Sequence, residues 1–121
     1  MPLILVVDDS PTEVFVIRRA LEQNGFQTVA AADGEEGYRL AKSMKPDLIF
    51  MDIVMPGVNG FQATRQLAKD PETREIPVVM VTSKGQDTDR IWGMRQGAVD
   101  YVVKPVTPQQ LVEKAQAVLA H

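Results

Sequence analysis

Asp47-Leu48-Ile49-Phe50-Met51-Asp52-Ile53-Val54-Met55-Pro56 is the stretch that decides how this chain folds. Leu48 to Met51 form a short, continuous apolar run, with Pro46 before it and Pro56-Gly57 after it. Such a run, bounded by turn residues, predicts a strand buried on both faces. Asp52 stands where the run ends, at the carboxyl end of that strand. In an open parallel sheet this is the end where ligands bind. Taken alone, Asp52 would serve equally well as the cap of a turn.

The neighbouring segments repeat the pattern. Leu3 to Val7 is a second wholly apolar run and ends in Asp8-Asp9. Ser10-Pro11-Thr12-Glu13 then has the form of a capping box, with Ser10 as N-cap, Pro11 as the first helical residue and Glu13 as the reciprocal partner. Val14, Ile17 and Leu21 follow at helical spacing up to Gly25. Gln27 to Ala31 reads as a weaker strand, and Asp33-Gly34-Glu35-Glu36 opens a helix with apolar positions Leu40, Ala41 and Met44. After the central strand, Gly57 and Gly60 lead to a helix with Phe61, Thr64 and Leu67 on one face, then to a polar loop from Asp70 to Ile76. Pro77 to Val81 is a fourth apolar strand, ending in Thr82-Ser83; a helix over 87–96 is closed by Gly97. Tyr101 to Val103 is a fifth strand, ending in Lys104-Pro105. Thr107-Pro108-Gln109-Gln110 caps a last helix faced by Leu111, Ala115, Val118 and Leu119. Five strands alternating with five helices predict an α/β fold, a doubly wound parallel sheet between two helical layers, with right-handed crossovers.

Composition narrows the function. The 121 residues make about one domain. With no Cys, disulfides and thiolate metal sites are excluded; the one His, His121, excludes a histidine metal cluster or triad. A net charge of −3 gives no electrostatic footprint for nucleic acid. No run approaches the roughly 20 apolar residues of a membrane span, and no signal peptide precedes the first strand. The expectation is one soluble, cytoplasmic domain over residues 1–121.

The strand ends carry the chemistry. Asp8 and Asp9, Asp52, Thr82 and Lys104 terminate four different strands, and a parallel sheet places all four ends on one edge. Three carboxylates at close quarters repel unless a cation sits among them. An all-oxygen set suits Mg²⁺, which keeps several waters and accepts phosphate oxygens. A lysine opposite can pair with added negative charge, and a hydroxyl can bond a phosphoryl oxygen. The set is built to receive a phosphoryl group on a carboxylate, and Asp52, on the central strand, is the best nucleophile.

These residues, with Thr82-Ser83, Gly97-Ala98, Tyr101 and Lys104-Pro105, resemble the receiver domains of response regulators of the CheY type over the whole chain. The resemblance implies strand order 2-1-3-4-5 and a flavodoxin-like fold. It implies Asp52 as phosphoacceptor, supplied by a sensor histidine kinase or a small phosphodonor, with Thr82 and Lys104 assisting. It implies Mg²⁺ held by Asp9, Asp52 and the backbone carbonyl of Val54, with Asp8 acting through water, and a cis Lys104-Pro105 bond. It further implies a switch in which Thr82 moves toward the phosphoryl group, the Tyr101 ring turns inward, and the fourth helix, fifth strand and fifth helix present a face to a downstream protein. Val54 to Leu67, VMPGVNGFQATRQL, is closer still to single-domain receivers of the chemotaxis-like systems that drive type IV pilus twitching motility.

Further expectations follow. The chain ends straight after its last helix, so no output domain is expected, and signalling would pass through a docked partner or by handing phosphate on. No catalysis is expected beyond Mg²⁺-assisted phosphorylation and dephosphorylation of the chain itself. Trp92 either covers the core or, with Ile91, anchors a partner. Val54 and Lys84 flank the approach of water to Asp52 and predict slow loss of phosphate. A phosphatase of the haloacid dehalogenase type would want an acid at Val54, and a flavodoxin would want hydroxyls, not two aspartates, after the first strand. A receiver-like binding module that is never phosphorylated leaves the full residue set unexplained.

Overall fold

The computed structural model describes residues 1–53, 57, 59–83 and 87–120, with the side chains of 87–89 outside that description. The described residues form β1 (Leu3–Val7), α1 (Pro11–Gln23), β2 (Gln27–Ala31), α2 (Gly34–Met44), β3 (Leu48–Met51), α3 (Gly60–Lys69), β4 (Val78–Thr82), α4 (Asp87–Arg95), β5 (Asp100–Val103) and α5 (Pro108–Leu119). All strand pairs are parallel, and the sheet order is β2-β1-β3-β4-β5.

The apolar runs are continuous because both faces of the sheet are covered. Ile4 and Val6 of β1 point with Phe50, Val79 and Val81 toward Ile17 and Leu21 of α1 and Leu111, Val112 and Ala115 of α5. Leu5 and Val7 point the other way, with Ile49 and Met51, toward Ala41 of α2 and Ala63 and Leu67 of α3. Side chains alternate across a strand, so only a run apolar at every position fills both layers.

The register places the strand ends together. Val7 pairs with Met51, and Met51 with Met80, so Asp8 and Asp52 leave the sheet side by side. Thr82 pairs with Val103 and is the last residue of β4, one position inside the strand rather than beyond it; Pro77 precedes β4.

Two helix faces differ from the sequence expectation. On α2 the buried stripe is Gly34, Gly37 and Ala41, while Leu40 is half-buried and Met44 is exposed. α2 packs so closely on β1 that a Cβ at Gly37 would meet the Val7 side chain at 2.9 Å. Its contact comes from small residues, which a hydrophobic count passes over. On α3, Phe61 is half-buried and the buried set is Gly60, Ala63, Thr64 and Leu67. A Cβ at Gly60 would overlap the backbone of Asp52 and Ile53, so this residue must be glycine for α3 to start where it does.

The predicted capping box holds at α5, and α3 opens on a second one that the sequence reading did not name. Asn59 and Thr107 accept from the N–H groups of Gln62 and Gln110, whose side chains return to the N-cap N–H at 3.1 and 2.7 Å. At α1 only half of the box forms. Ser10 Oγ accepts from the Glu13 N–H at 3.3 Å, but the Ser10 N–H donates to Asp8 Oδ1 at 2.9 Å. The Glu13 carboxylate is left for another partner.

Candidate functional site

Two strand ends build the acidic cluster, β1 giving Asp8 and Asp9 and β3 giving Asp52. Asp8 is the first residue after β1, its N–H donating to the Ala31 carbonyl; Asp52 is the first after β3, its N–H donating to the Val7 carbonyl. These bonds continue the sheet ladder, so both carboxylates start from rigid backbone. Oxygens of Asp8, Asp9 and Asp52 all lie within 4.8 Å of one another. Asp8 and Asp52 are buried and Asp9 is exposed. Asp52 Oδ1 accepts from the Ile53 N–H at 2.8 Å, which fixes the carboxylate's orientation.

Lys104 comes from the end of β5. Its N–H donates to the Thr82 carbonyl at 2.8 Å, and its peptide bond to Pro105 is cis, as the resemblance implied. The ammonium lies 3.5 Å from Asp8 Oδ2 and 2.7 Å from Glu13 Oε2. Thr82 is fully buried beneath this edge.

The electrostatics follow from burial. Desolvation pushes the Asp8 carboxyl up to about 6, against the pull of the Ser10 N–H and the Lys104 ammonium. The hydrogen bond from Lys104 holds Glu13 below the usual carboxylate range. Lys104 is raised, its losses to burial outweighed by Glu13, Asp8 and Asp52. A buried carboxylate that resists ionising, beside two others, is an oxygen cage short of one positive charge. That donor set fits a hard divalent cation.

The sequence-predicted residues Asp8, Asp9, Asp52, Thr82 and Lys104 therefore converge on one edge. Val54, whose carbonyl was expected to complete the metal set, and Lys84, the second expected gate for water, lie outside the described residues. Glu13 is the residue that sequence reasoning missed. It was assigned to the cap of α1, yet Asp8 takes the N–H that it was expected to take. The available signal was local: an aspartate two residues before an N-cap can bond that N–H itself and release the acid at the third helical position.

Tyr101 is buried, packed with Ile53, Met80 and Ala98. A Cβ at Gly93 would stand 3.1 Å from its ring, so ring and α4 are in direct contact. The ring thus already lies inside, where it was expected to turn inward only later. Ile91, Trp92 and Met94 on α4, Val99 just before β5 and Val103 at its end are exposed, and Trp92, at 51 %, does not serve as a core cover. On the other side of the site, an apolar groove of about 510 Å³ runs between α1 and α5, lined by Val16, Ile17, Val106 and Leu111 and rimmed by Glu13 and Lys104.

The response regulator receiver domain model matches residues 4–116. The chain belongs to the response regulator receiver family. This receiver is 56 % identical over 120 residues to the protein PilH of Pseudomonas aeruginosa, covering 99 % of both chains. It is 41 % identical to the Escherichia coli phosphate regulon transcriptional regulatory protein PhoB, matching 96 % of its own length but only 51 % of that longer protein. Among solved structures it superposes on the Vibrio cholerae chemotaxis protein CheY4 with a TM-score of 0.93 at 29 % identity, over 98 % of this chain and 99 % of that one. The receiver domain of a Pseudomonas aeruginosa sensor histidine kinase, solved with a magnesium ion coordinated in its active-site cleft, gives 0.91 at 29 % identity, over 99 % and 98 %. The receiver has the CheY-like fold and the hallmarks of two-component signalling, and its likeness to PilH fits twitching motility. Among the described residues, no helix is long and apolar enough to cross a membrane.

Proposed function

We propose that this receiver accepts a phosphoryl group on Asp52 from a histidine kinase, with Mg²⁺ bound by Asp8, Asp9 and Asp52, and that it relays a chemotaxis-like signal to pilus-based motility. The observation that carries the reading is the convergence of three carboxylates within 4.8 Å beside Lys104, on the edge where four strands end. The magnesium-bound relative and the full-length match to PilH support it.

Each residue has a task in this reading. Asp52 Oδ1 stays on the Ile53 N–H, and Oδ2 forms the new bond to phosphorus. The P–N bond of the donor phosphohistidine breaks, and its electron pair remains on the imidazole, which takes up a proton. Mg²⁺, when bound, neutralises charge on the phosphoryl oxygens and aligns them with the carboxylate. Lys104 pairs with one phosphoryl oxygen and the Thr82 hydroxyl donates to another. Thr82 lies on the strand next to Tyr101, and Tyr101 touches α4, so a shift of Thr82 changes how the ring, and with it α4, is held. The exposed apolar residues of α4 and β5 would then be offered to a downstream protein. The reading places the chain in the cytoplasm, where phosphoryl donors reside, acting as a single-domain regulator through docking or by returning phosphate. Its chemistry goes no further than its own phosphorylation and dephosphorylation.

The test is incubation with a small phosphodonor such as acetyl phosphate, read by intact-protein mass spectrometry. Wild type should gain one phosphoryl group with Mg²⁺ present and none with the metal chelated, and Asp52→Ala should gain none. Equal uptake by Asp52→Ala and wild type would refute the assignment.

A further inference from the structure

In four helices whose N-terminal caps are described, the side chain at the third helical position can be followed. Gln62 and Gln110 return to the N-cap N–H of their own helices, and Glu36 accepts from the Ala32 N–H just before its own. Glu13 alone of the four turns to another element, meeting Lys104, 91 positions away in sequence, at 2.7 Å. The helix does not need that carboxylate, because Asp8 already holds the Ser10 N–H. The structural duty of Glu13 is therefore discharged by its backbone N–H, which is bonded to Ser10 Oγ. Its side chain is turned to the functional site instead, where it bonds the Lys104 ammonium at 2.7 Å and also interacts with the Asp8 carboxyl.

We propose that Glu13 is a latch on Lys104, holding the ammonium on the α1 side of the site in the resting receiver and competing with the phosphoryl group for it. The proposal rests on the reading of Asp52 as phosphoacceptor and adds a positioning residue to it. Geometry supplies the competition. The Glu13 contact, at 2.7 Å, is shorter than the Asp8 contact at 3.5 Å. The Glu13 carboxylate is 45 % exposed, so water readily replaces the lysine when it leaves. A fully buried pair would make release prohibitive; here the lysine is 20 % and the carboxylate 45 % exposed, so the pair is open to water on the Glu13 side and weak enough to part. The latch thus penalises the phosphorylated state slightly and sets the level at which the receiver responds. Glu13 also lines the groove between α1 and α5, so its carboxylate stands at the mouth of the site rather than inside it.

Beryllofluoride with Mg²⁺ mimics an aspartyl phosphate without covalent chemistry, so its affinity reads the competition at equilibrium. Four proteins are titrated by NMR: wild type, Glu13→Gln, Lys104→Ala and the double variant. Glu13→Gln keeps the backbone cap, and its metal-free thermal midpoint checks that the fold is intact. The latch predicts about twofold to fivefold tighter binding in Glu13→Gln, the range of an exposed ion pair. It also predicts that this gain disappears when Lys104 is alanine. A gain that persists without Lys104 would mean a general effect of charge and overturns the latch, as would unchanged or weaker binding in Glu13→Gln. Wild type that binds no beryllofluoride would overturn the receiver reading itself, and the latch with it.

Discussion

Asp8 bears the electrostatic cost of the site. It is 5 % exposed, and its folded-state pKa of about 6 stands above the ordinary 3.8. A proton therefore binds the folded chain more tightly than the unfolded one. This contribution to stability is fully present below about pH 4 and is lost as pH rises through about 6; the gap corresponds to at most roughly 3 kcal/mol. In metal-free protein, Asp8→Asn should be more stable than wild type at pH 7.5, by about 1–3 kcal/mol, and the difference should shrink toward pH 4. Urea midpoints of the two proteins across that range measure it; a constant difference would show that Asp8 is not the titrating group. Asp9, by contrast, is exposed. Asp9→Ala should keep the fold and lose Mg²⁺ binding, which a Mg²⁺ titration followed by Trp92 fluorescence would show, and a circular dichroism melt would expose any loss of folding. The carboxylates were legible in the sequence because charge directly after a doubly apolar run has no local explanation. Glu13 was not, because an acid three residues after a serine has a good local explanation, and only the tertiary position of Lys104 reveals the other one.

At the scale of elements, the strands were legible almost to the residue and the helix faces less so. A strand with both faces covered must be apolar throughout, and that leaves an unbroken run. α2, α3 and α4 instead approach the sheet through Gly37, Gly60 and Gly93, where the contact depends on a missing side chain. Hydrophobic spacing cannot register an atom that is absent, which is why Met44 was placed inside and stands outside. Gly60 is the most exacting of these positions, since the neighbours of an added Cβ are backbone atoms of Asp52 and Ile53. Gly60→Ala should destabilise the protein by roughly 1–3 kcal/mol and impair beryllofluoride binding with it, because α3 must move off Asp52. Chemical denaturation and the same NMR titration would measure both effects, and wild-type values would show that α3 is free to yield. The contact of Tyr101 with Gly93 makes α4 and β5 the responsive pair. Amide shifts on adding beryllofluoride should extend from the carboxylate cluster through residues 82–108. Shifts confined to the carboxylates would remove Tyr101 and α4 from the signalling route. Trp92, half exposed on that helix, should be readily quenched by acrylamide in the free protein.

The whole molecule turns one rule of sheet topology into a chemical site. Parallel strands in the order β2-β1-β3-β4-β5 bring residues 8, 52, 82 and 104 to one edge, although they are spread over most of the chain. The architecture and this edge could be read from the sequence because alternating strand and helix signals leave few topologies, and the right-handed crossover leaves fewer. The surfaces could not be read as far. Whether Trp92 is inside or out depends on how α4 lies across β5, and no local pattern encodes that angle. The groove between α1 and α5 likewise exists only once the two helices pack side by side on the sheet. The central claim concerns where the phosphoryl group goes, and it is tested most directly by locating the label. Protein treated with acetyl phosphate and Mg²⁺ is reduced with borohydride, which converts an aspartyl phosphate to homoserine, then digested and sequenced by tandem mass spectrometry. The account predicts homoserine at position 52 and at no other aspartate; homoserine at position 8 or 9, or none anywhere in the chain, would contradict it.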